Sequence, residues 1–264
     1  MRFEDYKSIS FSRRGKVLTA TLNVPDQLNA IAGALHTELA HLFPDVAADP
    51  DTDVLILTGA GRAFSAGGDL SHIEAMRNDP HGFSEAVREA KRIVFGAIDC
   101  DKPVIAKVNG DAIGLGATVA LFCDIIFAAD TARLGDPHVK IGLVAGDGGA
   151  IIWPQMIGYA RANHYLLTGD LVPAPEAAAM GLINFSLPAE ELDAAVDAYA
   201  DRLAAGATKA IRWSKVTMNI GLKQLAHQMM DVGMAYEAMA SITADHGEAI
   251  AAMRERRKPD YTGR

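Results

Sequence analysis

Two stretches of this chain share one grammar, and that grammar limits the folds open to it. "VLILTGAGRAFSAGGDL" (54–70) and "PVIAKVNGDAIGLGATVALF" (103–122) each run from an apolar strand through a glycine-bearing turn into a helix. Apolar runs of this length, closed by glycines, are the mark of strands buried on both faces. The same alternation continues around them. "KVLTATLN" (16–23) and "DIIFAAD" (124–130) read as strands, and "ALHTELAHLFPDVAAD" (34–49) and "SEAVREAKRIVFGAID" (84–99) as helices. Short apolar strands alternating with helices predict an α/β fold with a mainly parallel sheet. From about residue 150 the pattern turns helical, and a second, helical region is expected to follow a core spanning 1–190, over 191–264. Its methionines at 229, 230, 234 and 239 recur at roughly helical spacing and suit packing against the core and a second subunit.

Composition narrows the partners. The chain has 264 residues, half of them apolar, and a net charge of −8. No basic cluster is broad enough for nucleic acid, and "RERRKPDYTGR" reads as a solvated helix end. The longest apolar run, "GATVALFCDIIFAA", is interrupted by Asp124 and too short for a bilayer. Two cysteines, Cys100 and Cys123, have no metal-ligand spacing, and buried thiols in a reducing, cytoplasmic setting are expected, with no metal.

The glycine turns carry the first chemical signal. The first amides of a helix lack internal partners and lie at the positive end of its dipole. Two such ends aimed at one point would hold an oxygen that becomes negative during reaction. Losing one donor from such a hole costs about a hundred- to a thousandfold in rate. "GLG" (114–116) is no dinucleotide fingerprint, because Val119 stands where the third glycine belongs. The second signal is "LGDPHVKIGLVAGDGGA" (134–150), in which His138 and Asp147 lie nine residues apart. An imidazole titrates near neutrality, and a carboxylate on one ring nitrogen would leave the other to take a proton from water.

"AFSAGGDL" (63–70), the run from Lys102 to Ala150, and "MRERRKPDY" (253–261) together resemble the enoyl-CoA hydratase/isomerase family, the crotonase superfamily, across essentially the whole chain. The resemblance implies a spiral of ββα units, a C-terminal helical region that forms trimers, often stacked as hexamers, and a coenzyme A thioester as substrate with no other cofactor. It implies backbone amides of Ala66 and Leu115 as the oxyanion hole, where glycine is usual at the second place. Leu28 in "LNA", Gly67, Gly68, Asp69 and Leu70 would line the substrate site. Asp26 stands where relatives carry a basic residue for the nucleotide phosphates, and Lys258 in "RRKP" is the candidate to replace it.

The catalytic positions depart from the hydratases. Their two glutamates would fall at Thr118 and His138. The "PH…GDG" pattern, with Glu237 in "AYEAM", is similar instead to the oxocamphor hydrolase branch, which opens carbon–carbon bonds by water attack on a ketone. Three readings stay open. His138 and Asp147 activate water for addition to an enoyl-CoA, or for hydrolytic opening of a β-ketoacyl-CoA, or the chain binds acyl-CoA without turning it over. An isomerase reading needs one shuttling carboxylate, and Asp147 is offset by one residue from that place. The stretch 71–83, with His72, is expected to be loop-like and to shape the pocket.

Overall fold

The computed structural model describes residues 1–77 and 79–264. Two sheets form its frame. The larger contains β1 (Ile9–Arg14), β2 (Val17–Leu22), β3 (Val54–Gly59), β5 (Val104–Val108), β7 (Ile125–Ala129) and β10 (Phe185–Leu187), in the order β1-β2-β3-β5-β7-β10. The smaller has the order β4-β6-β8-β9, from β4 (Ala63–Ser65), β6 (Asp111–Ile113), β8 (Arg133–Gly135) and β9 (Val172–Pro173). From β2 through β10 the large sheet is parallel, and only β1 runs against its neighbour.

The spiral is legible in this pairing. β3–β4, β5–β6 and β7–β8 each place a longer strand in the large sheet and a three-residue strand in the small one. Each pair leads into helix: α2 (Leu70–Arg77) and α3 (Pro80–Asp99), then α4 (Leu115–Leu121), then the 3-10 turn His138–Ile141 and α5 (Gly149–Thr168). All six residues of β3 are buried, as a strand covered on both faces requires. The other helices are α1 (Gly33–Ala48), α6 (Ala174–Met180), α7 (Ala189–Ala204), α8 (Thr208–Ser241) and α9 (Ala244–Glu255).

The helical tail differs from its expected outline. α7 spans the boundary anticipated at 190/191, and it packs across β2, β3, β5 and β7. Its Leu192, Val196 and Ala200 share one hydrophobic core with Met230 and Met234 of α8. α7 thus covers the large sheet. The stretch 71–83 is largely helical, in α2 and α3, rather than loop-like; Asn78 lies outside the described residues. Cys100 and Cys123 are both buried and free. Among the described residues no helix is long and apolar enough to cross a membrane.

Candidate active site

Every spiral turn ends its short strand at the same edge, so the turns after β4, β6 and β8 meet there. They enclose a cavity of about 800 Å³, closed by α2, α3 and α8. Ala66, Gly67, Gly68, Asp69, Leu70, Leu115, His138, Asp147 and Glu237 all line it.

The first glycine turn is held by a buried amide. Asn29 Nδ2 donates to the carbonyls of Ala60 and Ala63, both at 2.9 Å, and Ser65 Oγ donates to Asn29 O at 2.8 Å. Ala66 N donates to Leu28 O at 2.9 Å and Gly67 N to Ser65 Oγ at 3.2 Å. This departs from the expectation of a free amide at Ala66. The Ala66 amide is already occupied, and the next amide without an acceptor among the described residues is that of Gly68. Leu28 is not part of the lining; its carbonyl holds the turn. Gly114 N is taken by Gly135 O at 2.8 Å, so Leu115 offers the first amide of α4, which has no acceptor within the helix.

The two turns touch because both carry glycine at positive φ. Gly67 has φ +81° and Gly114 φ +53°, and a Cβ on Gly67 would lie 3.5 Å from Gly114 Cα while running into the carbonyl of Ile113. A Cβ on Gly114 would meet His138 Cε1 at 3.7 Å. The two amide turns and the imidazole thus share one corner of the cavity.

Around that imidazole lie three carboxyl groups. His138 Nδ1 bonds to Asp136 Oδ1, and Nε2 lies 3.7 Å from Asp147 Oδ2. Asp147 was expected to orient the ring; Asp136, absent from the sequence reading, does so instead, and Asp147 faces the working nitrogen. The only sign of Asp136 in the sequence is its place two residues before the histidine in "GDPH". Thr118, at the first missing glutamate, donates its hydroxyl to Asp147 Oδ1 at 3.4 Å. Glu237 is half-buried, and its Oε2 is buried and unpartnered among the described residues. A close crossing brings it here: a Cβ on Gly146 would strike the carbonyl of Gly233 on α8, and would lie 2.8 Å from Glu237 Oε2.

Charge follows from this packing. Burial disfavours an imidazolium at His138, but Asp136 and Asp147, with Glu237 beyond, outweigh it and raise the group well above its ordinary value. Burial pushes the Glu237 carboxyl up to about 8, the attraction of His138 being offset by Asp147 and Asp136. Burial likewise raises Asp147, against the pull of His138. The packing thus favours the protonated forms of both His138 and Glu237. Asp136, His138 and Asp147 offer ligand atoms within 4.8 Å of one another, a spacing a small cation would also accept, although Nδ1 is committed to Asp136.

The family model of enoyl-CoA hydratase/isomerase matches residues 12–264. The chain belongs to this family. Among the family's members, a probable enoyl-CoA hydratase of Mycobacterium bovis is 32% identical over 264 residues, covering 98% of this chain and 99% of the relative. The crotonyl-CoA hydratase of Syntrophomonas wolfei is 30% identical over 258 residues, with 97% and 98% covered. The crystal structure of an enoyl-CoA hydratase/isomerase from Mycobacterium paratuberculosis superposes with a TM-score of 0.89 at 35% identity, covering 92% of this chain and 97% of that one. Membership makes the mixed α/β spiral with its C-terminal helices the family's own fold.

Two further expected residues have other surroundings. Asp69 caps α2, accepting from His72 N at 2.9 Å. Lys258 is exposed past the end of α9 and does not line the cavity, and Arg257 beside it is paired with Glu248 and Glu255.

Proposed function

We propose that this chain processes acyl-CoA thioesters, holding the thioester oxygen between the amides of Gly68 and Leu115 and activating water with His138 and Asp147. One observation carries the reading: an imidazole clamped between two buried carboxylates lies against the glycine turn that supplies one of those amides. A water bridging His138 Nε2–H and Asp147 Oδ2 gives up a proton to the aspartate as its oxygen attacks the β-carbon of an enoyl-CoA. The enolate that forms is stabilised by the two amides, and His138 returns a proton to the α-carbon. Transfer from Asp147 to the ring restores the resting state. The names of the hydratase relatives support this hydratase-type reaction.

A specific observation favours a second reading. Glu237 is a neutral acid with a buried, free oxygen, able to donate to a β-oxo group as water attacks it. The same hole would then hold the departing enolate, and the reaction would be hydrolytic cleavage of a carbon–carbon bond in a β-ketoacyl-CoA, as in the oxocamphor hydrolase branch. Crotonyl-CoA and a cyclic β-ketoacyl-CoA, assayed side by side, separate the two. His138→Ala and Asp147→Asn are expected to abolish turnover of whichever substrate reacts. Full activity in both variants would refute the pair, and no turnover of any thioester over hours would leave a non-catalytic acyl-CoA-binding protein.

The assembly is proposed as a trimer or a hexamer of stacked trimers. Trp213, Val216 and Ile220 on α8, at i, i+3 and i+7, are exposed apolar side chains on one face, and Val232, Tyr236 and Met239, at i, i+4 and i+7, form a second such group. Lys258 is proposed to reach a CoA phosphate, within the chain or across such an interface. Its charge reversal should raise KM for CoA substrates.

A further inference from the structure

The cavity holds one more polar feature, on a wall that the proposed reaction does not use. α1, the turn before it and α3 form this wall, and Ile31, Phe83, Ala86 and Ala90 give it an apolar surface. Among them stands His36, about nine-tenths buried. Its Nδ1 lies 2.6 Å from Glu89 Oε2, while Thr37 Oγ1 donates to Glu89 Oε1 at 2.7 Å. Burial raises the Glu89 carboxyl, but these two bonds outweigh it and hold the group below the usual glutamate range. Glu89 is therefore an ionised acceptor, Nδ1–H is the donor, and the ring is locked. Nε2 has no partner among the described residues, and the residue faces the cavity.

Tying α1 to α3 requires only Glu89 and Thr37. Water in the cavity can reach Nε2, but an acyl chain that fills the cavity expels that water, and the nitrogen is then left unmatched at a cost of about 1–3 kcal/mol unless the occupant supplies its partner. We infer that His36 Nε2 is a recognition point for an oxygen function on the acyl group, remote from the thioester. The substrates are thus oxygenated acyl thioesters, bearing a hydroxyl or carboxylate, rather than plain hydrocarbon chains. This deepens the acyl-CoA reading and rests on it.

Calorimetric titration with saturated thioesters tests the inference without requiring turnover. Hexanoyl-CoA, 6-hydroxyhexanoyl-CoA and adipyl-CoA are titrated into the full-length protein and into His36→Phe, which keeps the ring volume, with His36→Gln as a second variant. At least one oxygenated ligand is expected to bind the wild type about tenfold more tightly than hexanoyl-CoA, equivalent to roughly 1.4 kcal/mol. His36→Phe should lose that preference with hexanoyl-CoA affinity within about twofold of wild type, and His36→Gln should retain part of it. A preference for the alcohol identifies Nε2 as acceptor, and one for the diacid identifies a protonated ring; either supports the inference. Equal affinity for all three in the wild type overturns it. So does a preference that survives in both variants, or one that disappears instead in His72→Phe, at another imidazole of the cavity. If no thioester binds at all, the acyl-CoA reading itself has failed.

Discussion

At the residue scale the site is a proton ledger among four side chains, and each can be tested alone. Asp136→Asn keeps a hydrogen-bonding group on His138 Nδ1 but removes the charge that holds the ring as an imidazolium. Turnover should fall by about 10²- to 10⁴-fold with KM little changed, and NMR titration should find the His138 pKa lowered. An unchanged pKa would show that Asp147 alone sets it. Glu237 gives a pH prediction with a definite sign. Its carboxyl moves from 4.5 to about 8 on burial, so the folded state binds the extra proton and stability falls as pH rises through that window. Glu237→Gln removes the burden of ionising a buried acid. Its Tm should match or exceed that of the wild type more clearly at pH 8.5 than at pH 5, and a gap that shrinks with pH would contradict this account. The sequence exposed His138 because it replaces a catalytic glutamate at a position the resemblance marks, and Asp147 and Glu237 because they match the oxocamphor hydrolase pattern. It did not expose Asp136, because an aspartate before a proline in a glycine-rich stretch is ordinary turn chemistry. Nor did it show that Leu28 O occupies the Ala66 amide and leaves Gly68, since that depends on two non-glycine residues, Leu28 and Asn29, at positive φ.

At the scale of elements, three short connections bring the site together. The long strands β2, β3, β5 and β7 were legible as apolar runs, as were α1, α3, α4 and α7 from their spacing. β4, β6 and β8 were not, because three residues are too few to display an alternating period. They nonetheless set where the glycine turns fall. The loop carrying Asp147 reaches Glu237 only because Gly146 crosses Gly233 without side chains between them. Gly146→Ala places a methyl group against that carbonyl. It should cost about 1–3 kcal/mol of stability, read by urea unfolding, and should lower turnover at least tenfold by separating loop from helix. Wild-type stability and rate would mean that the loop adapts freely.

For the whole molecule, the balance of exposed and buried apolar surface is informative. α8 contributes Met230 and Met234 to the core yet leaves Trp213, Val216 and Ile220 exposed along one face. The methionine spacing revealed that this helix packs, but not which side meets its own chain. Sedimentation velocity should find the wild type as the proposed trimer or hexamer and Trp213→Lys combined with Ile220→Lys as a monomer, whereas a wild-type monomer would mean that this face serves some other purpose.

The proposed convergence of the Gly68 and Leu115 amides beside His138 underlies every step of the proposed chemistry. A crystal structure of Asp147→Asn with bound crotonyl-CoA examines it directly. The thioester oxygen is predicted to lie about 2.7–3.1 Å from both amide nitrogens, with the β-carbon facing the His138 ring. A carbonyl bound to neither amide, or an acyl chain shielded from that ring, would contradict it.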